Sequence, residues 1–163
     1  MTSILKVNQI QNTAGAAPTA ADLGLNVTGS VVQVANTTSN ATVSMTGQTF
    51  VNSGVYVDFT PLSASSTIVV HAQGHVYRNG AGHNFFRVIN QSTTTTSLNR
   101  GGRQYNQFHE SVPIIWKDTS HNSTTQRRYE IQIANRDATS ETLNFNDGGG
   151  SYESGITVFE IAG

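Results

Sequence analysis

Five histidines, ten carboxylates and one loop rich in arginine and aromatic residues are the groups through which this chain could do chemistry. A metal site needs ligands converging on one ion at about 2.1 Å. His71 and His75 in "STIVVHAQGHVY" stand about 13 Å apart along an extended strand at ~3.3 Å per residue, so within one chain they do not share an ion. A threefold axis would bring three copies of one His or Gln together, either to bind an ion or to make a subunit interface sensitive to acid. Hydrogen-bonded polar groups inside an interface are the simpler account, and no metal or cofactor is expected.

Glycoside cleavage needs two carboxyl groups about 5 to 9.5 Å apart across a cleft. Asp118, Glu130 and Glu153 read instead as acids of strand ends and turns. The chain has no G-x-S-x-G; "GGGSYESG" is the nearest stretch and lacks the flanking glycines. G-x-x-x-x-G-K-[ST], G-x-G-x-x-G after a strand, H-E-x-x-H and the EF-hand loop are also missing. The expectation is a protein that is not an enzyme and has no catalytic residues.

The stretch "NRGGRQYNQFHES" with the nearby "IIWKD" gathers Arg100, Arg103, Tyr105, Phe108, His109 and Trp116. Aromatic faces beside a few polar groups suit the two sides of a sugar ring, so Arg100, Arg103, Tyr105, Phe108 and Trp116 are candidates for glycan or receptor contact. The competing reading places Phe108 and Trp116 in the core or an interface. Five Asn-x-Ser/Thr sequons, at Asn26, Asn36, Asn40, Asn90 and Asn122, are chance matches in a chain rich in Asn and Thr.

The elements that must position these groups are strands. Of 163 residues only 12% are charged and 36% hydrophobic, the balance falling to Thr, Ser, Asn, Gln and Gly. Short alternating runs of β-branched and aromatic residues mark strands rather than a solvated coil. "SVVQVANT" reads as a strand and "GQTFVNSGVYVDFTP" as a bent pair around Asn52-Ser53-Gly54. "STIVVHAQGHVYRNGAGHNFFRVIN" reads as a hairpin turning at Asn79-Gly80. "RQYNQFHES", "VPIIWKD", "TTQRRYEIQIAN", "ETLNFN" and "SGITVFEIAG" follow, separated by turn residues. Eight to ten short strands without helices predict an all-β fold, an antiparallel β-sandwich of Ig-like or jelly-roll type.

Alternation assigns faces. Tyr129, Ile131 and Ile133 share the core side of their strand, opposite Arg128, Glu130 and Gln132 on a wet side. In "STIVVHAQGHVY" the core face is Ile68, Val70, Ala72, Gly74 and Val76. The opposite face carries Val69, His71, Gln73, His75 and Tyr77. That mixture, poor in charge and holding an aromatic, is the composition of a subunit interface, so His71, Gln73, His75 and Tyr77 are candidate interface residues.

Residues 1–29 differ in texture from the sandwich at 30–163. Ile4, Leu5, Val7 and Ile10 give one short, sticky strand too small to stand alone, and "NTAGAAPTA" is a connector. Thr19 and Asp22 ahead of Leu23 form a weak capping box for one helical turn. No signal-peptide core and no run of about 20 apolar residues is present, so the chain is expected to be made and kept soluble. A net charge of -1 offers nucleic acid and anionic membrane no attraction. With no cysteine, stability must come from packing or assembly.

"SILKVNQIQNTAG" resembles the lead-in of bacteriophage virion proteins of tail-fibre type, particularly from marine and cyanobacterial phages. "GSVVQVANTTSNATVSMTGQTFVNSGVYVDFTPLSASSTIVVHAQGHVY", "NFFRVIN" and "SGITVFEIAG" resemble the β domain that follows in them. The resemblance implies a jelly-roll-like virion component, a homotrimer whose arm docks through Ile4, Leu5, Val7 and Ile10 on other virion proteins. Its sandwich would be displayed on the particle surface after synthesis in the host cytoplasm. It implies possible contact with a host surface glycan, no nucleic acid, no membrane insertion and no catalytic residues. Residues 92–125 depart most from that pattern, and no shaft lies between Asn12 and Ser30. The chain therefore fits a short tail-fibre tip or adhesin, a capsid decoration or head-fibre protein, or a free lectin-like module.

Overall fold

A computed structural model describes residues 15, 17, 28–78, 80, 82–98, 101, 103–104, 108–136, 142–146 and 152–163, with the backbone alone at 103, 104 and 108. Ile4, Leu5, Val7, Ile10, Arg100, Tyr105 and the helical turn expected near Thr19 lie outside the described residues. Among the described residues ten strands follow in order: β1 Val31–Ser39, β2 Val43–Met45, β3 Val51–Phe59, β4 Thr67–Arg78, β5 Gly82–Asn90, β6 Arg103–Gln104, β7 Phe108–Asp118, β8 Arg127–Asn135, β9 Leu143–Phe145 and β10 Ser154–Ile161.

Their pairing is nested. β1 pairs with β10, β2 with β9, β3 with β8, β4 with β7 and β5 with β6, all antiparallel. The chain is thus one long double ribbon whose two arms run the length of the molecule. A ribbon that is apolar on one side must bury that side, and it does so by rolling up. The roll is closed by β10 and β9 joining β4, and by β8 joining β5. The result is two principal four-stranded sheets, β1-β10-β4-β7 and β3-β8-β5-β6, with β2 and β9 appended to the first. This is the strand order of a jelly roll.

Alternation along the strands fills the space between the sheets. Ile68, Val70, Ala72, Gly74 and Val76 point inward from β4, as the sequence predicts, and meet Val55, Val57 and Phe59 of β3 and Tyr129, Ile131 and Ile133 of β8. Phe86 and Phe145 complete the centre, their rings 6.1 Å apart.

Three local expectations are corrected. Of the turn expected at Asn79-Gly80, Asn79 lies outside the described residues and Gly80 has the positive φ, at 114°, but β4 and β5 do not form a hairpin. β4 is flanked by β7 on one side and by β10 and β9 on the other, so β5 crosses to the opposite sheet and pairs with β8. "VNSGVYVDF" is one strand rather than a bent pair. Its register with β8 slips between Asn52 and Tyr56, and Gly54, at φ 76°, absorbs the bulge. β7 runs unbroken through Pro113, where the sequence suggested two segments; as an edge strand it loses no ladder bond to the missing N–H.

A fourth correction concerns β8. Its second face is not wet: Glu130 and Gln132 are buried along with the core residues. Gln132 donates to Asn52 and accepts from Arg87, and Glu130 accepts from the Gly54 N–H and from Gln91. Burial, partly offset by those two donors and by Arg128, raises the carboxyl pKa of Glu130 above its usual 4.5. An acid whose folded pKa is raised makes stability fall as pH rises through that value. Glu130→Gln removes the buried charge and keeps one acceptor oxygen for the Gly54 N–H, while its NH2 can donate to Gln91 once that amide turns over. It is expected to raise the thermal midpoint at pH 7 by roughly 2–4 °C, the effect of about 1 kcal/mol in a domain of this size. A lowered midpoint by calorimetry would contradict the assignment.

Candidate functional site

The outer face of β1-β10-β4-β7 holds the His and Gln residues singled out by alternation, and cross-strand register fixes their neighbours. Val34, Phe159, Val69 and Lys117 form one row across the four strands. Asn36, Thr157, His71 and Ile115 form the next, and Thr38, Gly155, Gln73 and Pro113 a third. His75 beside Ser111, then Tyr77 beside His109, extend the face along β4 and β7.

Its two ends differ in chemistry. At one end Val34 and Ile115 are exposed, at 53% and 75%. At the other, Tyr152 stacks on His109 at 4.5 Å and lies 5.6 Å from His75, while His109 lies 4.9 Å from Tyr77. Gln73 donates to the Ser111 hydroxyl at 2.8 Å. A shallow depression between the ends is lined by Thr38, His71, Gln73, Glu153, Gly155 and Thr157. Among the residues named on this face, Lys117 and Glu153 carry the formal charges at neutral pH. The surface can therefore make aromatic and amide contacts over a broad area at little cost in charge desolvation.

The other sheet presents a different surface. Arg128 forms a two-pronged pair with Asp58, both bonds 2.8 Å, and lies 3.9 Å over the Tyr56 ring. Arg87 covers Phe50 at 3.8 Å. The hydrogen bond and charge of Arg128 hold the Asp58 carboxyl below its usual range. Those polar groups are matched to one another within the chain.

The three candidate acids do not converge. Asp118 points inward from β7, Glu130 outward from β8 in the other sheet, and Glu153 lies on the opposite outer face. Glu160, fully buried, accepts from the Leu62 and Ser63 N–H groups and from the Ser66 hydroxyl, holding the β3–β4 loop against β10. Among the described residues no three His, Cys, Asp or Glu side chains are grouped to hold a metal ion.

Of the glycan candidates, Trp116 is half-buried and packs on the core, edge-on to Tyr129 at 6.1 Å. Arg103 begins β6 and Phe108 begins β7, their side chains outside the described atoms, as are Arg100 and Tyr105 altogether. His71, Gln73, His75 and Tyr77 share one face, as their spacing predicts. Sequence reading did not join Tyr152, Glu153, Thr38 and Thr157 to them. The signal that does so is strand register, which a single strand's pattern does not carry.

No protein-family model and no curated protein matches the chain. Among solved structures, it is similar to that of infectious bursal disease virus Gt strain at 10% identity and TM-score 0.43, over 82% of this chain and 38% of that one. It is similar to the Gx strain structure at 11% identity and TM-score 0.42, over 82% of this chain and 39% of that one. The crystal structure of the VP2 subviral particle of the same virus matches at 9% identity and TM-score 0.42, again over 82% and 39%. The chain thus spans about two fifths of the length of these structures.

Proposed function

We propose that this protein is a non-enzymatic structural component of a bacteriophage particle, of tail-fibre type. It works as a trimer displayed on the particle surface, with residues 1–29 as the arm that serves both attachment and assembly and the jelly roll as the exposed module. The observation that supports this best is the outer face of β1-β10-β4-β7: a broad, charge-poor surface of His, Gln, Tyr and exposed aliphatic residues, where the opposite sheet's outer face is self-matched. His71, Gln73, His75 and Tyr77 lie in the contact between copies. The likeness of "SILKVNQIQNTAG" and "SGITVFEIAG" to phage virion proteins supports the particle setting. Host attachment is assigned to residues 92–125, which depart most from those proteins.

Light scattering tests the assembly. The wild-type chain is expected at three times 17.4 kDa. Ile115→Asp, at a site 75% exposed and therefore harmless to the protomer fold, is expected to shift the mass to the monomer with an unchanged far-ultraviolet circular dichroism spectrum. A wild-type monomer at micromolar concentration would refute the trimer. Immunogold labelling of intact particles tests the setting: label at the tail end fits attachment, label over the head turns the reading to capsid decoration, and unlabelled particles overturn it.

A further inference from the structure

The edges of a β-sheet are surfaces on which strands pair, and proteins blunt them with prolines, charges, bulges or short length. β7 carries Pro113 and Lys117, β3 carries the Gly54 bulge and Asp58, and β2 and β6 are three and two residues long. β1 differs. Its nine residues "VVQVANTTS" hold no charge and no proline, and its only irregularity, between Val31 and Gln33, leaves Gln33–Ser39 in regular register with β10. Among the described strands it pairs with β10 alone. Val31 and Val34 stand exposed on it at 55% and 53%.

The same chain holds a segment matched to that edge. Residues 3–11, "SILKVNQIQ", are also nine long, β-branched and carry one charge, Lys6. Gly29 donates to the Ala162 carbonyl and Ala162 donates to the Ser30 carbonyl, so the arm leaves the sandwich at the start of β1. We infer that residues 3–11 of one copy add as an extra strand to the free edge of β1 in a neighbouring copy, by β-augmentation. This rests on the assembly proposed above and names its mode.

Linker length favours a neighbour over the chain's own β1. An antiparallel return onto the same β1 needs two to five residues. Residues 12–28, rich in Gly, Ala and Thr, reach about 55 Å at ~3.3 Å per residue, nearly twice the roughly 30 Å length of β1. That span suits exchange between copies. Main-chain hydrogen bonds would supply the attraction, and Leu5 and Val7, which share one face of their strand, would lie beside Val34 on an already apolar end of the sheet.

The chain has no cysteine, which permits a direct test. Full-length Val7→Cys and full-length Asn36→Cys are unfolded together, refolded and treated with a short bis-maleimide. A cross-linked heterodimer is expected, and it should vanish when Tyr56→Cys on β3 replaces Asn36→Cys. Leu5→Cys and Gln9→Cys are run in parallel to cover register. No heterodimer from any of the three arm positions would overturn the inference. So would a Val7→Cys/Asn36→Cys double variant that yields only internally linked monomers. Because purified protein is used, a failure to find the protein on particles leaves this result unaffected.

Discussion

Asp118→Ala is expected to lower stability by about 3–5 kcal/mol, the cost of breaking a buried charged network, and to drop the thermal midpoint by roughly 10 °C. Asp118, 3% exposed, ends β7 and accepts from four donors. These are the Ser120 N–H at 2.8 Å, the Ser120 hydroxyl at 2.5 Å, Asn90 Nδ2 at 2.8 Å and the Tyr129 hydroxyl at 2.8 Å. The group ties both sheets and the β7–β8 loop to one carboxylate. Alanine would leave Asn90 Nδ2 and the Tyr129 hydroxyl buried without that acceptor, each at about 1–3 kcal/mol. Asp118→Asn, which keeps the shape and one acceptor oxygen, is expected to fall between.

The same network sets an acid limit. Burial pushes the Asp118 pKa up, but the bonds from Ser120, Tyr129 and Asn90 together outweigh it and hold the group below its usual 3.8. A depressed carboxyl contributes stability that is present above the unfolded pKa and lost as pH falls through the folded one. Glu130 has the opposite sign, being raised above 4.5. On acidification, protonation of Glu130 first adds stability, and protonation of Asp118 below pH 3.8 then removes it. Denaturation followed from pH 7 to pH 3 should show a maximum on the mildly acidic side. Glu130→Gln should abolish the rise, and Asp118→Asn should blunt the fall. A wild-type curve that declines steadily from pH 7 would contradict the Glu130 assignment, and one that shows no loss below pH 3.8 would contradict that of Asp118.

What the sequence makes legible here is what depends on near neighbours. Period-two alternation assigns the inward face of β4 and the core residues Tyr129, Ile131 and Ile133. Turn chemistry finds the break between β4 and β5. Strand partnership is not local: Val31 pairs with Ile161 across almost the whole chain, and the turn after β4 leads to a different sheet because β4 has no free edge. Buried polar groups are misread for the same reason. Asp118 and Glu130 look like acids of turns and strand ends. Their burial follows from Asn90, Tyr129, Gln91 and Gly54, which reach them through the roll. The candidate site divides likewise: His71, Gln73, His75 and Tyr77 are placed together by one strand's alternation, whereas His109 and Tyr152 join them through register and loop packing.

Gly74→Val is expected to destabilise the fold by about 3 kcal/mol, at the upper end of overpacking, although valine is the better strand former by propensity. Gly74 lies on the inward face of β4, in the middle of the strand with the most neighbours in its sheet. A Cβ there would sit 2.5 Å from Cε1 and 3.0 Å from Cδ1 of Phe86, and 3.1 Å from Cε2 of Phe145. Both rings are fully buried and packed against each other, so neither can swing toward solvent. The missing side chain is what lets the two sheets approach at this point, each ring using space a methyl would take. Gly74→Ala should cost less, about 2 kcal/mol, because it adds one carbon rather than three and recovers some backbone entropy, although the 2.5 Å approach to Phe86 must still open to ordinary contact. Adding Phe86→Leu to Gly74→Val should restore part of the loss by freeing the colliding volume, a coupling that a double-mutant cycle in urea would read directly. Strictly additive losses would mean that the strand, rather than the ring above it, is what the substitution disturbs.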